Sequence, residues 1–195
     1  TAITNRPYGP DSLSGSQSYK DKAVDLKARL WEESHWAPAV ALGFRDIGGT
    51  GLFSSEFVVA NKRYDNFDFS AGIAWGYIGN RGDFDNPLGE LADRYNTRPE
   101  SEGTGDVNAG SYFRGKPSLF GGVSYQTPWD RLSLKLEYEG NDYKHEPKDN
   151  EIKQDSPINL GAVFKLTDSI DVSAAWERGN TAMFGITLHT NFATR

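Results

Sequence analysis

The segment Phe67-Asp-Phe-Ser-Ala-Gly-Ile-Ala-Trp-Gly-Tyr77 decides how this chain is predicted to fold. Side chains on a β-strand alternate between the two faces of a sheet. One face of this segment therefore carries apolar and aromatic residues, with Phe67 at one end and Tyr77 at the other. The opposite face carries only small or polar residues. The segment is therefore predicted to be a strand with one face that contacts lipid or a protein core and one face that contacts water.

The same alternation recurs along the chain and predicts about nine strands. The third of them alternates poorly, so the pattern does not assign its side chains to the two faces of the sheet. The predicted strands cover approximately 24–31, 38–45, 56–64, 67–77, 119–127, 132–139, 158–166, 170–176 and 182–192. An all-β, antiparallel fold class follows, because these segments succeed one another through connections that are mostly too short for parallel crossovers.

The connections between the predicted strands are strongly asymmetric. Short turns such as 65–66 and 167–169 occur at one end, whereas long polar loops occur at 80–117 and 141–156 at the other. Outer-membrane β-barrels have short periplasmic turns, long extracellular loops and aromatic girdles around an apolar band. The pattern therefore predicts that residues 1–195 form a single transmembrane β-barrel domain with two long extracellular loops.

Strand parity extends this prediction. Such barrels contain an even number of strands and start from the periplasm, whereas the first predicted strand here descends into a short turn. We therefore expect an odd number of strands upstream of Thr1 and a complete barrel of roughly ten to twelve strands. On this interpretation the chain is a fragment, and residues 1–22 form a further outer loop.

Composition limits the function classes. The 195 residues include 27 Asp and Glu against 21 Lys and Arg, and the net charge of −6 argues against nucleic-acid binding. The chain contains no cysteine, which excludes disulfides and thiol chemistry. Its mean hydropathy is −0.62, and no apolar run approaches the ~18 residues of a transmembrane helix. The lack of such a run does not exclude a β-barrel, because only alternate residues of its strands face lipid.

A soluble β-sandwich or lipocalin-like barrel remains an alternative. Such a fold places the apolar face inside and the charged face in water. Aromatic residues at the ends of the apolar faces favour the membrane interpretation, since membrane interfaces are enriched in Trp and Tyr.

Charged residues on the polar faces are the candidate lumen residues of the barrel. They are Asp25, Lys27, Arg29, Arg45, Lys135, Glu137 and Glu139. Glu137 and Glu139 lie two residues apart on one strand face, a spacing at which two carboxyls approach the ~5–7 Å typical of glycosidases. A hydrated, charged lumen explains them better, so no catalytic residue is predicted.

Aromatic residues of the long loop are candidates for stacking on sugar rings: Tyr95, Tyr112 and Phe113. The three histidines do not have metal-ligand spacing, and Asp83, Asp85 and Asn86 lack the later glutamate of a calcium loop. No metal site and no cofactor are therefore predicted.

Three segments resemble the YjbH family. They are Ile3-Thr-Asn-Arg-Pro-Tyr-Gly9, Ala41-Leu-Gly-Phe-Arg-Asp-Ile-Gly-Gly-Thr-Gly-Leu-Phe-Ser-Ser-Glu-Phe-Val-Val-Ala-Asn-Lys-Arg63 and Asp68-Phe-Ser-Ala-Gly-Ile-Ala-Trp-Gly-Tyr-Ile-Gly-Asn-Arg-Gly-Asp-Phe84. The resemblance implies a bacterial outer-membrane protein, often a lipoprotein, associated with exopolysaccharide and capsule production. It also implies a longer chain, in agreement with the parity argument, and supplies no catalytic motif.

The expected function is a non-enzymatic component of an exopolysaccharide or capsule secretion or assembly system in the bacterial outer membrane. The expected partners are outer-membrane lipids, polysaccharide and other secretion proteins, without nucleic acid. A soluble binding or scaffold module and an outer-membrane barrel enzyme that acts on glycan or lipid remain the alternatives.

Overall fold

The computed structural model describes residues 2–7, 18–48, 50–99, 109–147 and 150–190, with side chains described from residue 22 onward. Its secondary structure is β throughout, apart from four short 3₁₀ turns in the 77–117 connection. The strands are β1 (Ala2–Pro7), β2 (Ser18–Asp21), β3 (Val24–Trp31), β4 (Ala39–Gly48), β5 (Ser55–Tyr64), β6 (Phe67–Gly76), β7 (Ser118–Gln126), β8 (Leu132–Tyr138), β9 (Ile158–Thr167), β10 (Ile170–Glu177) and β11 (Thr181–Leu188).

Strands β3 to β11 form one sheet in which each strand pairs antiparallel with the next along the chain. The first two strands form a separate antiparallel pair. The nine-stranded sheet is open, because β3 and β11 stand at its two edges and do not pair with each other. The sequence predicted that these strands are part of a barrel of roughly ten to twelve strands, and closure is not seen among the described residues.

The predicted strands agree closely with β3 to β11, and three details differ. Residues 1–22 were predicted to be a loop, whereas β1 and β2 lie there. Strand β4 continues to Gly48, beyond the predicted end at residue 45, because it keeps pairing with the edge strand β3 as far as Val24. The last strand ends at Leu188, and the predicted Phe192 lies outside the described residues.

The two long connections contain no strand in their described parts. They leave the same end of the sheet, and the two-residue turn 65–66 lies at the opposite end. Asp65 has a φ of 50°, the left-handed conformation that two-residue hairpins require. The asymmetry of connections read from the sequence is therefore present in the structure.

The two faces of the sheet differ in polarity in the predicted way. The apolar face is largely exposed: Phe184 is 84% accessible and Ile186 is 73% accessible. The buried apolar residues among those described are only Ala41, Val59, Ala74 and Trp75. Within the described chain, the apolar face is thus not covered by a second layer of protein, except beside Trp75, where the first long connection packs on it. Among the described residues, no helix is long and apolar enough to cross a membrane.

The polar face is closed over its central strands by two phenylalanine rings. Phe57 lies against Gly43 on β4, and Phe120 lies against Gly72 on β6. The two rings meet edge to face, with centroids 6.0 Å apart. Glycine is required at both positions, because a Cβ at Gly43 would lie 2.1 Å from the Phe57 ring. This packing stiffens the middle of the polar face and leaves the charged strands on either side of it open.

Candidate functional site

The predicted lumen residues of β8 lie in the open part of the polar face. Glu137 is opposite Gly122 on β7 and Asn159 on β9. Lys135 is opposite small residues on both neighbouring strands. Because glycine and serine fill little space beside these long side chains, a groove forms along β8.

Two adjoining cavities make up this groove. One, of about 540 Å³, runs from β6 to β9, and the other, of about 460 Å³, runs from β8 to β11. Lys135, Glu137 and Asn159 line both. The remaining polar side chains of the groove are Asp68, Ser70, Ser124, Glu139, Asp171, Ser173, Glu177, Thr187 and His189.

The carboxylates of Glu137 and Glu139 have different surroundings. Both Lys135 and Glu137 are exposed and make no side-chain hydrogen bond or ion pair among the described residues. Glu139 instead accepts hydrogen bonds from the Tyr143 hydroxyl and from Asn159 Nδ2, the latter at 3.3 Å. Glu139 is therefore tied to the neighbouring loop, whereas Glu137 is free to contact a solute.

The other predicted lumen residues lie on the same polar face, at its opposite edge. The Arg45 Nε atom is 3.7 Å from the Asp25 carboxylate, and Arg29 is 2.7 Å from Glu32 in the adjacent turn. Lys27 is exposed between them on β3. The residues predicted together thus form two groups, one on β3 and β4 and one on β8.

The second long connection closes one end of the groove. The Tyr77 hydroxyl donates a hydrogen bond to the Glu146 carboxylate at 3.1 Å. Burial raises the pKa of Glu146 above its usual range, and hydrogen bonds, first from Tyr77, partly oppose this. Burial, together with the hydrogen bond to Glu139, likewise raises the pKa of Tyr143. These groups form a compact, half-buried polar cluster.

Arg81 joins the two long connections to each other. Its Nη2 atom donates to the carbonyl of Asn141 at 3.0 Å and to the side-chain carbonyl of Gln154 at 2.8 Å. Its guanidinium also lies 5.7 Å from the centroid of the Tyr138 ring. The two loops predicted to be extracellular are therefore one packed unit above the end of the sheet.

The loop aromatics predicted to stack on sugars have different environments. Tyr112 and Phe113 pack on Phe44, with centroids 5.2 and 5.8 Å apart, and Phe113 also packs on Trp75 at 5.3 Å. Their rings are therefore engaged in holding the loop to the sheet. The ring of Tyr95 is covered by Arg94, 4.9 Å from its centroid. Glycan stacking by these rings stays a prediction.

A buried ion pair stands beside this aromatic packing, and we call the group Phe44, Glu56, Trp75, Arg98 and Phe113 the rim cluster. Glu56 is 1% exposed and accepts two hydrogen bonds from the Arg98 guanidinium, at 2.8 and 2.9 Å. It also accepts one from the Phe113 amide at 2.9 Å. Sequence reasoning missed this pair, although a glutamate at an apolar-face position of β5 was a signal.

The acidic stretch of the first long loop is occupied by protein contacts. Asp83 accepts a hydrogen bond from the Leu119 amide at 3.0 Å, and Asp85 is 2.9 Å from the Lys116 ammonium. Asn86 donates to three backbone carbonyls of the same loop. Among the described residues, no group of three potential ligands is arranged to hold a metal ion.

Comparison with known proteins gives two matches. A family model described as "Exopolysaccharide biosynthesis protein YbjH" matches residues 1–195. The "Uncharacterized lipoprotein YjbH" of Escherichia coli strain K12 is 52% identical over 194 residues, which is 98% of this chain and 28% of that protein. The chain thus spans little more than a quarter of that relative. No solved structure matches.

Proposed function

Since the chain belongs to the YjbH family, we propose that it is part of a non-enzymatic outer-membrane β-barrel that serves exopolysaccharide export or assembly. The observation that carries this proposal is the exposed apolar face of the sheet. Lipid would cover that face, and the polar groove would line a hydrated path for glycan.

The wide spread of exposed apolar side chains supports contact of this face with lipid rather than with water. Soluble monomers seldom expose contiguous apolar patches beyond ~300–600 Å². Here exposed apolar side chains occur on nearly every strand of one face: Val24, Leu26, Tyr64, Phe69, Leu119, Leu134, Leu136, Leu160, Trp176, Phe184, Ile186 and Leu188. The described residues supply few buried apolar side chains in exchange, so an apolar solvent is the favoured partner for this face.

Aromatic residues border the apolar face in two rows. The row at the short-turn end contains Trp31, Tyr64, Phe67 and Tyr125, and the row at the long-loop end contains Phe44, Trp75, Tyr138 and Trp176. Trp75 marks the level of its row but is buried under Phe113. Phe67 and Trp75 are eight residues apart, roughly 26 Å along the strand and ~20 Å along the membrane normal at a ~40° tilt. This separation is close to the ~25 Å apolar band of outer-membrane barrels.

Matched arginine substitutions on adjacent residues of β9 test which face meets the apolar medium. Ala162 is on the apolar face in the middle of the strand, and Gly161 is on the polar face with room for a side chain, because a Cβ there lies 3.7 Å or more from its neighbours. Ala162→Arg should cost about 2–4 kcal/mol of folding free energy in lipid vesicles, and Gly161→Arg should cost much less. Equal costs would contradict the assignment of the faces.

Washing the isolated membranes tests whether lipid or protein covers the apolar face of the sheet. The full-length protein, expressed with its own signal, should stay in the outer-membrane fraction after urea or carbonate treatment and be released only by detergent. Release into the wash would favour the soluble β-sandwich. Loss of secretion after deletion of residues 141–156, with the barrel still inserted, would support a role of the loop in glycan handling.

A further inference from the structure

The charges of the polar face are separated by sign across the sheet. Side chains on or directly after β3 to β5 that share this face include Lys27, Arg29, Arg45 and Arg63 against Asp25 and Glu32. Those on or directly after β8 to β10 include Glu137, Glu139, Asp171 and Glu177 against Lys135, Lys165 and Arg178. We call these the basic half and the acidic half of the polar face.

The strands between the two halves carry few charges. The polar-face residues of β6 and β7 are small or aromatic except for Asp68 and Gln126. The Phe57 and Phe120 rings lie over this middle region. The two halves are therefore held apart by a packed, mostly uncharged strip, so most of their charges cannot pair with one another directly.

Local pairing leaves charge uncompensated on both sides. On the basic half, Arg45 pairs with Asp25 and Arg29 pairs with Glu32, whereas Lys27 has no ion-pair partner among the described residues. On the acidic half, neither Glu137 nor Glu177 has a side-chain partner in the described part of the chain. In a barrel, strands several places apart along the wall face each other across the lumen. The uncompensated charges would then face each other through water.

From this arrangement, and resting on the proposed barrel, we propose that the lumen carries a transverse electric field and that its glycan substrate is an uncharged, hydroxyl-rich chain. Opposite charges across a hydrated path orient water and hydroxyl dipoles and disfavour apolar solutes. An acidic polysaccharide would be held by the basic half, whereas an uncharged chain is bound strongly by neither half and passes through.

Ion selectivity in planar lipid bilayers tests the field. In the full-length protein, Lys27→Gln with Arg29→Gln should raise the cation-to-anion permeability ratio, by roughly twofold per charge removed. Glu137→Gln with Glu177→Gln should lower it by a similar factor. Asp168→Asn, in the exposed turn between β9 and β10, is the matched control and should leave the ratio unchanged.

Blockage of the current by oligosaccharides tests the substrate class. Neutral dextran oligomers should give brief blocks, and oligogalacturonate of equal length should give longer ones that shorten in the Lys27→Gln, Arg29→Gln variant. A protein that shows no conductance would overturn the proposed barrel path and this inference with it. A conducting protein whose selectivity does not shift in opposite directions, or that holds both glycans equally long, would overturn this inference alone.

Discussion

Two carboxylates of this sheet, Glu56 and Glu137, have opposite environments. Glu56 is at an apolar-face position, is 1% exposed and accepts three hydrogen bonds, two from Arg98 and one from Phe113. Glu137 is on the polar face, exposed and without a partner among the described residues. A charge can remain buried only when it is paired and hydrogen-bonded. The rim cluster is therefore structural, and the groove around Glu137 is available for function.

The comparison also distinguishes the loops. The rim cluster anchors the first long connection, and it lies at the level of the aromatic row of the apolar face. The second long connection instead covers the end of the polar groove through Glu139, Tyr143 and Glu146. The first loop is thus anchored mainly on the apolar face, whereas the second covers the end of the proposed glycan path, which Ile78 of the first loop also lines.

Breaking the rim cluster should have the largest effect on stability. Glu56→Ala leaves the Arg98 guanidinium and the Phe113 amide without their acceptor in a buried site, which should cost about 3–5 kcal/mol. Urea unfolding in vesicles, followed by tryptophan fluorescence, measures this because Trp75 belongs to the cluster. The control is Glu137→Ala, which should unfold like the parent protein. Equal losses in both variants would contradict the distinction.

Filling the glycine under Phe57 should have the next largest effect. Gly43→Ala places a methyl group 2.1 Å from the ring, which must move although it packs on Phe120, and we expect a cost of about 1–3 kcal/mol. Gly48→Ala, on the same strand with nothing within 4 Å of the new Cβ, should change stability by less than about 0.5 kcal/mol. A Gly43→Ala variant as stable as Gly48→Ala would show that the middle of the polar face is not tightly packed.

The environments of Glu56 and Gly43 explain which strands could be predicted well from the sequence and which could not. The alternation of β3, β6 and β8 predicted their strands well, because each strand has one exposed apolar face and one polar face. The alternation of β5 is poor for a physical reason. Phe57 lies on the polar face because Gly43 makes room for its ring, and Glu56 lies on the apolar face because Arg98 pairs with it. Neither exception is visible without the partner.

The contacts of the long loops could not be predicted from the sequence for a similar reason. The rim ion pair joins positions 42 residues apart, and Tyr77 and Glu146 are 69 residues apart. Hydrogen bonds between irregular segments follow no periodicity, so only the three-dimensional path of the chain brings them together. The hairpin of β1 and β2 was missed because its Pro, Gly and Ser content is typical of loops.

The pH dependence of stability should distinguish the half-buried Glu146 from both Glu56 and Glu137. Burial raises the folded-state pKa of Glu146 above its ordinary value of 4.5. A raised pKa means that its stabilising contribution is complete below pH 4.5 and is lost as the pH rises through the folded-state value. The stability difference between the parent and Glu146→Gln, measured by urea titration from pH 4 to 8, should therefore change over this window. A difference that is constant with pH would contradict burial of this carboxyl.

The smallest effect is expected in the groove itself. Glu137→Gln with Glu177→Gln removes one exposed and one half-buried charge, neither of which has a side-chain hydrogen bond or ion pair among the described residues, so the free energy of unfolding should change by less than about 0.5 kcal/mol. The same double variant should alter ion selectivity, so a large selectivity change with unchanged stability would assign these residues to function. A stability loss comparable to that of Glu56→Ala would instead place them in the framework of the sheet. The groove would then be structural like the rim cluster, and the contrast between the two carboxylates would fail.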